Sequence, residues 1–530
     1  VNNSWWKNAV IYQIYPRSFK DSNNDGIGDL KGIASKLDYI KGLGVDAIWL
    51  SPIYKSPMKD FGYDVSDYCD IDPIFGSIDD FDKLLEQAHK KGLRVILDMV
   101  INHTSDRHPW FKESRSSRTN PKADWYIWVD GEKGIPPNNW LSYFGGSAWE
   151  WDENRKQYYL HLFAKEQPDL NWRNPEVKRE LFNIVKFWLD KGVDGFRFDV
   201  VNLFYKDAKL RNNPPKKKKT EIDFENYYNV FTRDRPETLL VIEELQELIE
   251  SYRDRVTIGE VATDLGVIQY FEYTKPGRLN LAFNFEFKDV EKFSAKSFKE
   301  VVEFTEKVFE DAAWPSYVLG NHDSARFISK FSDGKLEEER AKLLATMLLT
   351  LRGTPFIYMG EEIGMREGEI PFEKLQDPLG LNLWPKHKGR DGCRTPMQWD
   401  ESDYAGFSTV EPWLPVNSDK NHVNVKRQEK DPDSMLNYYK KLLSLRRKSN
   451  ALKLGDYISI ETDNPEVYAY LRVFEDERKL VILNFNAESV KVKLNLPKEE
   501  KHNIVFGTHR TKGVINNLVE LDPFEVLISE

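Results

Sequence analysis

Short apolar runs alternate with amphipathic helical segments along most of this 530-residue chain, and that alternation limits the fold more than any other feature. Runs at 10–15, 47–50 and 95–100 read as strands. Between them, 30–43 reads as a helix stopped by Gly44, and 77–91 as a helix with Ser77 as N-cap and Gly92 as its stop. The strands are continuously apolar rather than alternating, as parallel strands covered on both faces are. Further strands are expected at 195–200, 256–261, 279–285, 316–319 and 355–359, with helices at 237–252, 297–310 and 336–351. Eight strands, each followed by helical or mixed material, predict an α/β chain folded as a (β/α)8 TIM barrel. An open doubly wound sheet is the competing topology, but no glycine-rich phosphate loop follows the first strand.

Two stretches break the repeat. Residues 104–171 are rich in Trp, Tyr, Asn, Ser and Gly and lack a helical period, too long for a simple loop, so they read as an inserted small domain after the third strand. The period resumes at Asn174 and Pro175, a good N-cap and first helical residue. Val177, Leu181, Ile184, Val185 and Trp188 then share one helix face. After a helix at 434–448 the period becomes two, which predicts an antiparallel β domain. The expected organisation is a barrel from 1–103 and 172–450, an insert at 104–171 and a C-terminal β domain at 451–530.

Composition narrows the class. Hydrophobic residues are 40% and aromatics 13%, enough for a large core, which excludes a disordered or collagen-like chain. No run approaches the ~18 apolar residues of a membrane span. Residues 1–6 lack the basic and apolar regions of a signal peptide, so one is expected to be absent or already removed. A net charge of −10 argues against a nucleic-acid partner. Two cysteines, Cys69 and Cys393, make no disulfide framework and suit a reducing cytoplasm. Whether the chain is a monomer or a homo-oligomer stays open.

In such a barrel the chemistry sits at the C-terminal strand ends. Asp98, Asn102 and His103 end the third strand, Arg197 and Asp199 the fourth, Glu260 the fifth, and Asn321, His322 and Asp323 the seventh. Several carboxylates converging with imidazoles and a guanidinium suit cleavage of a glycosidic bond, in which one carboxylate attacks and another protonates the leaving oxygen. Separately, residues 21–29 place oxygen-bearing groups at alternate positions: Asp21, Asn23, Asp25, Ile27 through its carbonyl, and Asp29, with Gly26 at the sixth position. This copies the first part of a calcium loop, but position twelve is Gly32 rather than Glu, so it is no EF-hand.

The segments around Asp98 to His103, Gly195 to Asp199, Gly259 to Val261 and Asn321 to Asp323 resemble the four signature segments of the α-amylase family, glycoside hydrolase family 13, in their order and spacing. The segment 167–171 resembles the mark of the oligo-1,6-glucosidase branch, and 389–399 that of bacterial and insect α-glucosidases. The resemblance spans essentially the whole chain. It implies an exo-acting retaining α-glucosidase. Asp199 would be the nucleophile, Glu260 the general acid and base, and Asp323 the transition-state stabiliser. Arg197 would align Asp199, while His103 and His322 would bond hydroxyls of the glucose being cleaved. Asp60 and Tyr63 would meet that glucose at its far end. Arg394 would pair with Asp60 and close the pocket, and Phe144 and Phe163 would pack on the sugar. Val200 is the residue that goes with α-1,6 linkages in these enzymes. The resemblance also implies that the loop at 21–29 holds structural calcium, or magnesium in its place.

The competing activities are a broad or α-1,4-preferring α-glucosidase (maltase), a phosphosugar hydrolase, and transglycosylases such as sucrose isomerase or trehalose synthase. Non-enzymatic readings are a sugar-binding module or the barrel of an amino-acid-transporter heavy chain. The latter keeps a membrane span, which this sequence lacks.

Overall fold

A computed structural model describes residues 4–496 and 501–530. Seven strands pair in parallel in one curled sheet. Their spatial order is Leu281–Ala282, Val256–Gly259, Gly195–Phe198, Arg94–Met99, Ala47–Leu50, Ile11–Ile14 and Phe356–Tyr358. The expected seventh strand, 316–319, forms no extended ladder. It bridges the two edges instead, Asn284 to Tyr317 and Val318 to Phe356, both in parallel. The sheet thus closes into a barrel of eight staves. Pro315 brings no N–H to the start of that segment, which shortens its pairing. Apart from Arg94, every residue of the seven strands is buried, as two-sided cover requires.

The helices follow local signals. Ser77 caps Ile78–Lys90 through a reciprocal box with Asp80. The Asn174 side chain accepts from the Glu176 N–H to open Pro175–Lys191, and Gly192 ends that helix at φ 100°. The single helix expected at 30–43 is two, Leu30–Ser35 and Leu37–Leu43. The Ser35 hydroxyl donates to the Gly32 carbonyl at 2.6 Å, the acceptor Lys36 would use in a continuous helix. Lys36 N–H turns to Ile33 at 2.9 Å.

Within 104–171 lie one short helix, Pro109–Ser114, and a three-stranded antiparallel sheet with Gln157–Leu160 between Trp128–Val129 and Trp149–Asp152. The C-terminal region builds a six-stranded sheet around Val467–Phe474 and Glu477–Asn484, with a two-stranded sheet, Val490–Lys493 and Leu518–Leu521, beside it. Alternation decides what each face covers. Tyr468, Tyr470, Val481 and Leu483 join the barrel core. Ala469, Leu471, Leu480 and Ile482 pack on Val492 and Leu521 instead. Two fully buried arginines fasten this unit to the barrel. Arg446 donates to the carbonyls of Leu349, Gly353 and Leu452, and Arg472 to those of Thr350, Leu452 and Gly455. Among the described residues, no helix is long and apolar enough to cross a membrane.

Candidate active site

The backbone sets the level of the two central carboxylates. The fourth strand ends at Phe198 and the fifth at Gly259. Asp199 N–H still bonds the Met99 carbonyl at 3.1 Å, and Glu260 N–H bonds the Phe198 carbonyl at 2.9 Å. Each is therefore the first residue past its strand yet tied to the neighbouring stave. Gly195 permits the close approach beneath them, since a Cβ there would meet the Val256 carbonyl oxygen at 2.2 Å.

Arg197 organises the floor. Its Nη1 donates to Asp98 at 2.8 and 3.1 Å and to Asp199 Oδ1 at 2.7 Å, while Nη2 donates to Glu260 Oε2. Asp98 also accepts from Trp49 Nε1 at 3.2 Å and from the Tyr63 hydroxyl at 2.9 Å. Above this floor is a small cavity of ≈ 60 Å³. Asp199, Glu260 and Asp323 line it on the reacting side, with Val200 beside them. Asp60, Tyr63, His103, Phe144 and Phe163 form the rest of its wall, together with Arg390. Arg197, His322 and Arg394 lie buried behind that wall. Nine of the twelve expected sugar-site residues thus line one cavity, while Arg197, His322 and Arg394 do not.

One pairing differs from expectation. Asp60 is held by Arg390, Nη2 to Oδ1 at 2.8 Å, not by Arg394. Arg394 faces the other way, donating to Asp323 at 2.9 Å and to the His322 carbonyl at 2.7 Å. Arg390 reaches Asp323 at 3.1 Å as well, makes a bidentate contact with Asp377, and lies 5.1 Å from the Phe144 ring centre. Both arginines flank the same short turn, 390–394, and their fourfold spacing gives no sign of which one faces Asp60. Gln167, the first residue of the segment 167–171, also donates to Asp60 at 3.0 Å. Arg390, Asp377 and the bracing role of Gln167 were not read from the sequence.

Val200 also departs from its expected place in a strand. It follows the strand end in the left-handed region, at φ 36°. For a β-branched residue this costs about 1–3 kcal/mol. It turns the side chain into the cavity wall, packed with Leu203, Trp140 and Phe163.

The electrostatics separate the carboxyls. Burial pushes Glu260 up against the pull of Arg197, and the charges of Asp199 and Asp323 add to the rise, to about 8. Burial likewise lifts Asp199, but Arg197 opposes it and Glu260 donates a hydrogen bond to it, leaving it at about 7. Burial opposes charge on Asp323 too; there the guanidinium groups of Arg390, Arg394 and Arg197 prevail and hold it below the usual carboxylate range. The order of ionisation is Asp323, Asp199, Glu260. Burial lowers His322 to about 3 and lowers His103 as well, so both rings are neutral. His103 Nε2 lies 2.9 Å from the Tyr63 carbonyl and Nδ1 3.0 Å from the Asn102 amide nitrogen.

The loop at 21–29 supports itself. Asp21 accepts from the N–H groups of Asn23, Asn24 and Gly26 and from the Ser408 hydroxyl. Asp29 accepts from Ser22 and caps the following helix through Gly32 N–H. Asp25 is exposed and accepts from Asn23 and Ile27. Among the described residues no three carboxylate, imidazole or thiolate side chains are grouped as an ion's ligands. Asn23 and the Ile27 carbonyl are the further oxygens of the loop.

Residues 13–455 match the family model for the α-amylase catalytic domain, and 457–528 the model for the maltogenic amylase C-terminal domain. The chain is 46% identical to an oligo-1,6-glucosidase of Parageobacillus thermoglucosidasius over 92% of its own length and 91% of the relative's. It is 45% identical to a probable α-glucosidase of Rhizobium meliloti (strain 1021), covering 94% and 92% of the two chains. A solved α-glucosyl transfer enzyme superposes with a TM-score of 0.95 at 43% identity, covering 100% of this chain and 99% of that one.

Proposed function

This chain belongs to the α-amylase family, and we infer that it is an exo-acting retaining α-glucosidase that releases α-glucose from short α-glucosides and favours α-1,6 links. The observation that carries this is the cavity. It holds Asp199 and Glu260 on one side and is sealed by Asp60 and Arg390 on the other. Closure of that end by the Asp60–Arg390 pair suits one terminal sugar ring rather than a threaded chain.

The chemistry follows from the order of ionisation. Asp199 Oδ attacks the anomeric carbon of the bound glucose and forms a β-glucosyl ester. Glu260 gives its proton to the departing glycosidic oxygen. Glu260, now ionised, takes a proton from water, which attacks the same carbon and releases glucose with its α configuration retained. Asp323 stays charged throughout and faces the positive charge that grows on the ring. Arg197 binds both reacting carboxyls and so keeps their spacing. Val200 narrows the side where the leaving sugar sits. An α-1,6 link, with one more rotatable bond, clears that wall more easily than an α-1,4 link. Identity to oligo-1,6-glucosidases at 46% and 41% supports the same preference.

A product time course on isomaltose, maltose, sucrose and trehalose tests this. Glucose should appear fastest from isomaltose. Rearranged disaccharides from sucrose, without free glucose, would move the chain to the isomerases. The likeness to a glucosyl transfer enzyme supports a second outcome, trisaccharide formation at high maltose, when a sugar replaces water as acceptor.

For the loop at 21–29 we propose a structural calcium ion, or magnesium, held by Asp21, Asn23, Asp25, Asp29 and the Ile27 carbonyl. An all-oxygen donor set suits such hard cations. A cytoplasmic setting fits the two free cysteines.

A further inference from the structure

We propose that Gln13, on the first barrel strand, is a positioning residue that fixes the tautomer of His322, so that Nε2 carries the ring proton and presents it toward Tyr63 and Asp323. Its catalytic consequence rests on the glucosidase reading; the tautomer itself does not.

A count of protons carries the inference. The Tyr63 hydroxyl lies between two partners, Asp98 Oδ2 at 2.9 Å and His322 Nε2 at 2.8 Å. It has one proton to give. Asp98 also faces the Arg197 guanidinium and the Trp49 indole N–H, so it is an ionised acceptor with nothing to donate. If the phenolic proton went to His322, two bare oxygens would meet at 2.9 Å between Tyr63 and Asp98. With the proton on Asp98, the 2.8 Å contact requires a hydrogen on Nε2. Asp323 Oδ2, 3.3 Å from the same nitrogen, requires it too. A neutral ring protonated at Nε2 has a bare Nδ1, which must accept. The Gln13 amide nitrogen sits 2.8 Å from Nδ1 and supplies that donor.

The surroundings leave the ring little freedom. The Tyr63 ring lies 5.4 Å away and 3° from parallel, and the Tyr15 ring 5.7 Å away at 18°. Burial keeps it neutral. The neighbouring rings restrict the ring plane but are indifferent to which nitrogen holds the proton; Gln13 on one side, with Tyr63 and Asp323 on the other, decides that. In the opposite tautomer a lone pair would face both the Tyr63 oxygen and Asp323. That would push Asp323 away from the charge it faces during bond cleavage.

The test is nitrogen-15 NMR of the histidine rings in the full chain, with Gln13→Met and Gln13→Glu beside the wild type. The wild-type His322 signal should show a protonated Nε2 and a bare Nδ1. In Gln13→Glu the new carboxylate should draw a proton onto Nδ1, and kcat/KM for isomaltose should fall about 10- to 100-fold, mostly in kcat. Gln13→Met should fold and lose activity to a similar extent while its His322 signal no longer shows a single tautomer. A wild-type ring protonated on Nδ1 overturns the proposal outright. So does a Gln13→Met protein that keeps both the wild-type tautomer and full kcat/KM. Absence of glucosidase activity in the wild type would instead strike the functional reading and leave the tautomer standing.

Discussion

The closed end of the pocket depends on Arg390, and removing its charge should show how strongly. Its side chain is 10% exposed and its partner Asp60 5%, so solvent screens the pair little. Arg390→Met leaves Asp60 and Asp377 without their direct cation and takes from Asp323 one of its two arginines. Breaking a buried pair by removing one partner costs about 3–5 kcal/mol. A hydrogen bond to a charged group is worth about 1.5–3 kcal/mol, so kcat/KM for isomaltose should fall about 10- to 150-fold. The pairing can be isolated with a double-mutant cycle. Asp60→Asn with Arg390→Met should show a coupling of about 1.5–3 kcal/mol in urea unfolding, and Asp60→Asn with Arg394→Met clearly less. The pH dependence has a definite sign. In the wild type, burial of Asp377 is outweighed by Arg390, which depresses it to about 2, so its contribution is present above the unfolded value and lost as pH falls through about 2. Burial already holds Asp60 above its usual value despite Arg390; without Arg390 it rises further, and Asp377 rises above ~3.9, the unfolded value. Their burial then opposes folding at neutral pH and ceases to do so once they are protonated. The stability gap between wild type and Arg390→Met should therefore be widest near pH 7 and narrow toward pH 5. A gap that ignores pH, or a coupling of Asp60 to Arg394 as large as to Arg390, would refute this account of the pocket.

The remaining expectations concern the reaction, its linkage preference and the loop. Proton NMR should find α-glucose as the first-formed anomer; β-glucose first would exclude Asp199 as nucleophile. kcat/KM should follow a bell in pH, falling in acid as Asp199 is protonated and in alkali as Glu260 loses its proton. Burial raises Glu260 to about 8, so its ionisation opposes folding as pH climbs from the unfolded ~4.3; Glu260→Gln should raise Tm more at pH 9 than at pH 5 while losing most activity on poor leaving groups. Val200→Ala removes the β-branch and should shift the isomaltose-to-maltose ratio of kcat/KM toward maltose by roughly 1 kcal/mol, about fivefold, with an unchanged ratio counting against the steric reading. Chelation should lower Tm before it changes kcat, and no shift in Tm would remove the cation from residues 21–29.

The barrel and its reacting carboxyls were legible for one physical reason. Parallel strands buried on both faces leave continuous apolar runs, and the first polar residue beyond each run lands on the rim. Asp199 and Glu260 are such residues, and their ladder bonds to Met99 and Phe198 show why. The seventh stave blurs because only two isolated bridges hold it. The break at Lys36 was hidden because a Ser35 hydroxyl competing for a backbone carbonyl leaves the apolar period intact.

The pocket's far end follows a different logic. Asp60, Gln167 and Arg390 come from three separate loops, and their contacts join residues 107 and 330 positions apart. No periodicity records such contacts, so a motif can bring two arginines to the neighbourhood without saying which one turns toward Asp60. The same holds for His322, whose partner Gln13 is 309 positions away. What decides in both cases is satisfaction of buried groups. Asp60 needs a cation that Arg394, committed to Asp323 and the His322 carbonyl, does not supply. His322 needs a donor because Tyr63 has already given its proton to Asp98. Strand-end motifs thus place the reacting atoms, while the charges and protons that surround the sugar are set by long-range pairings that only the assembled rim brings together.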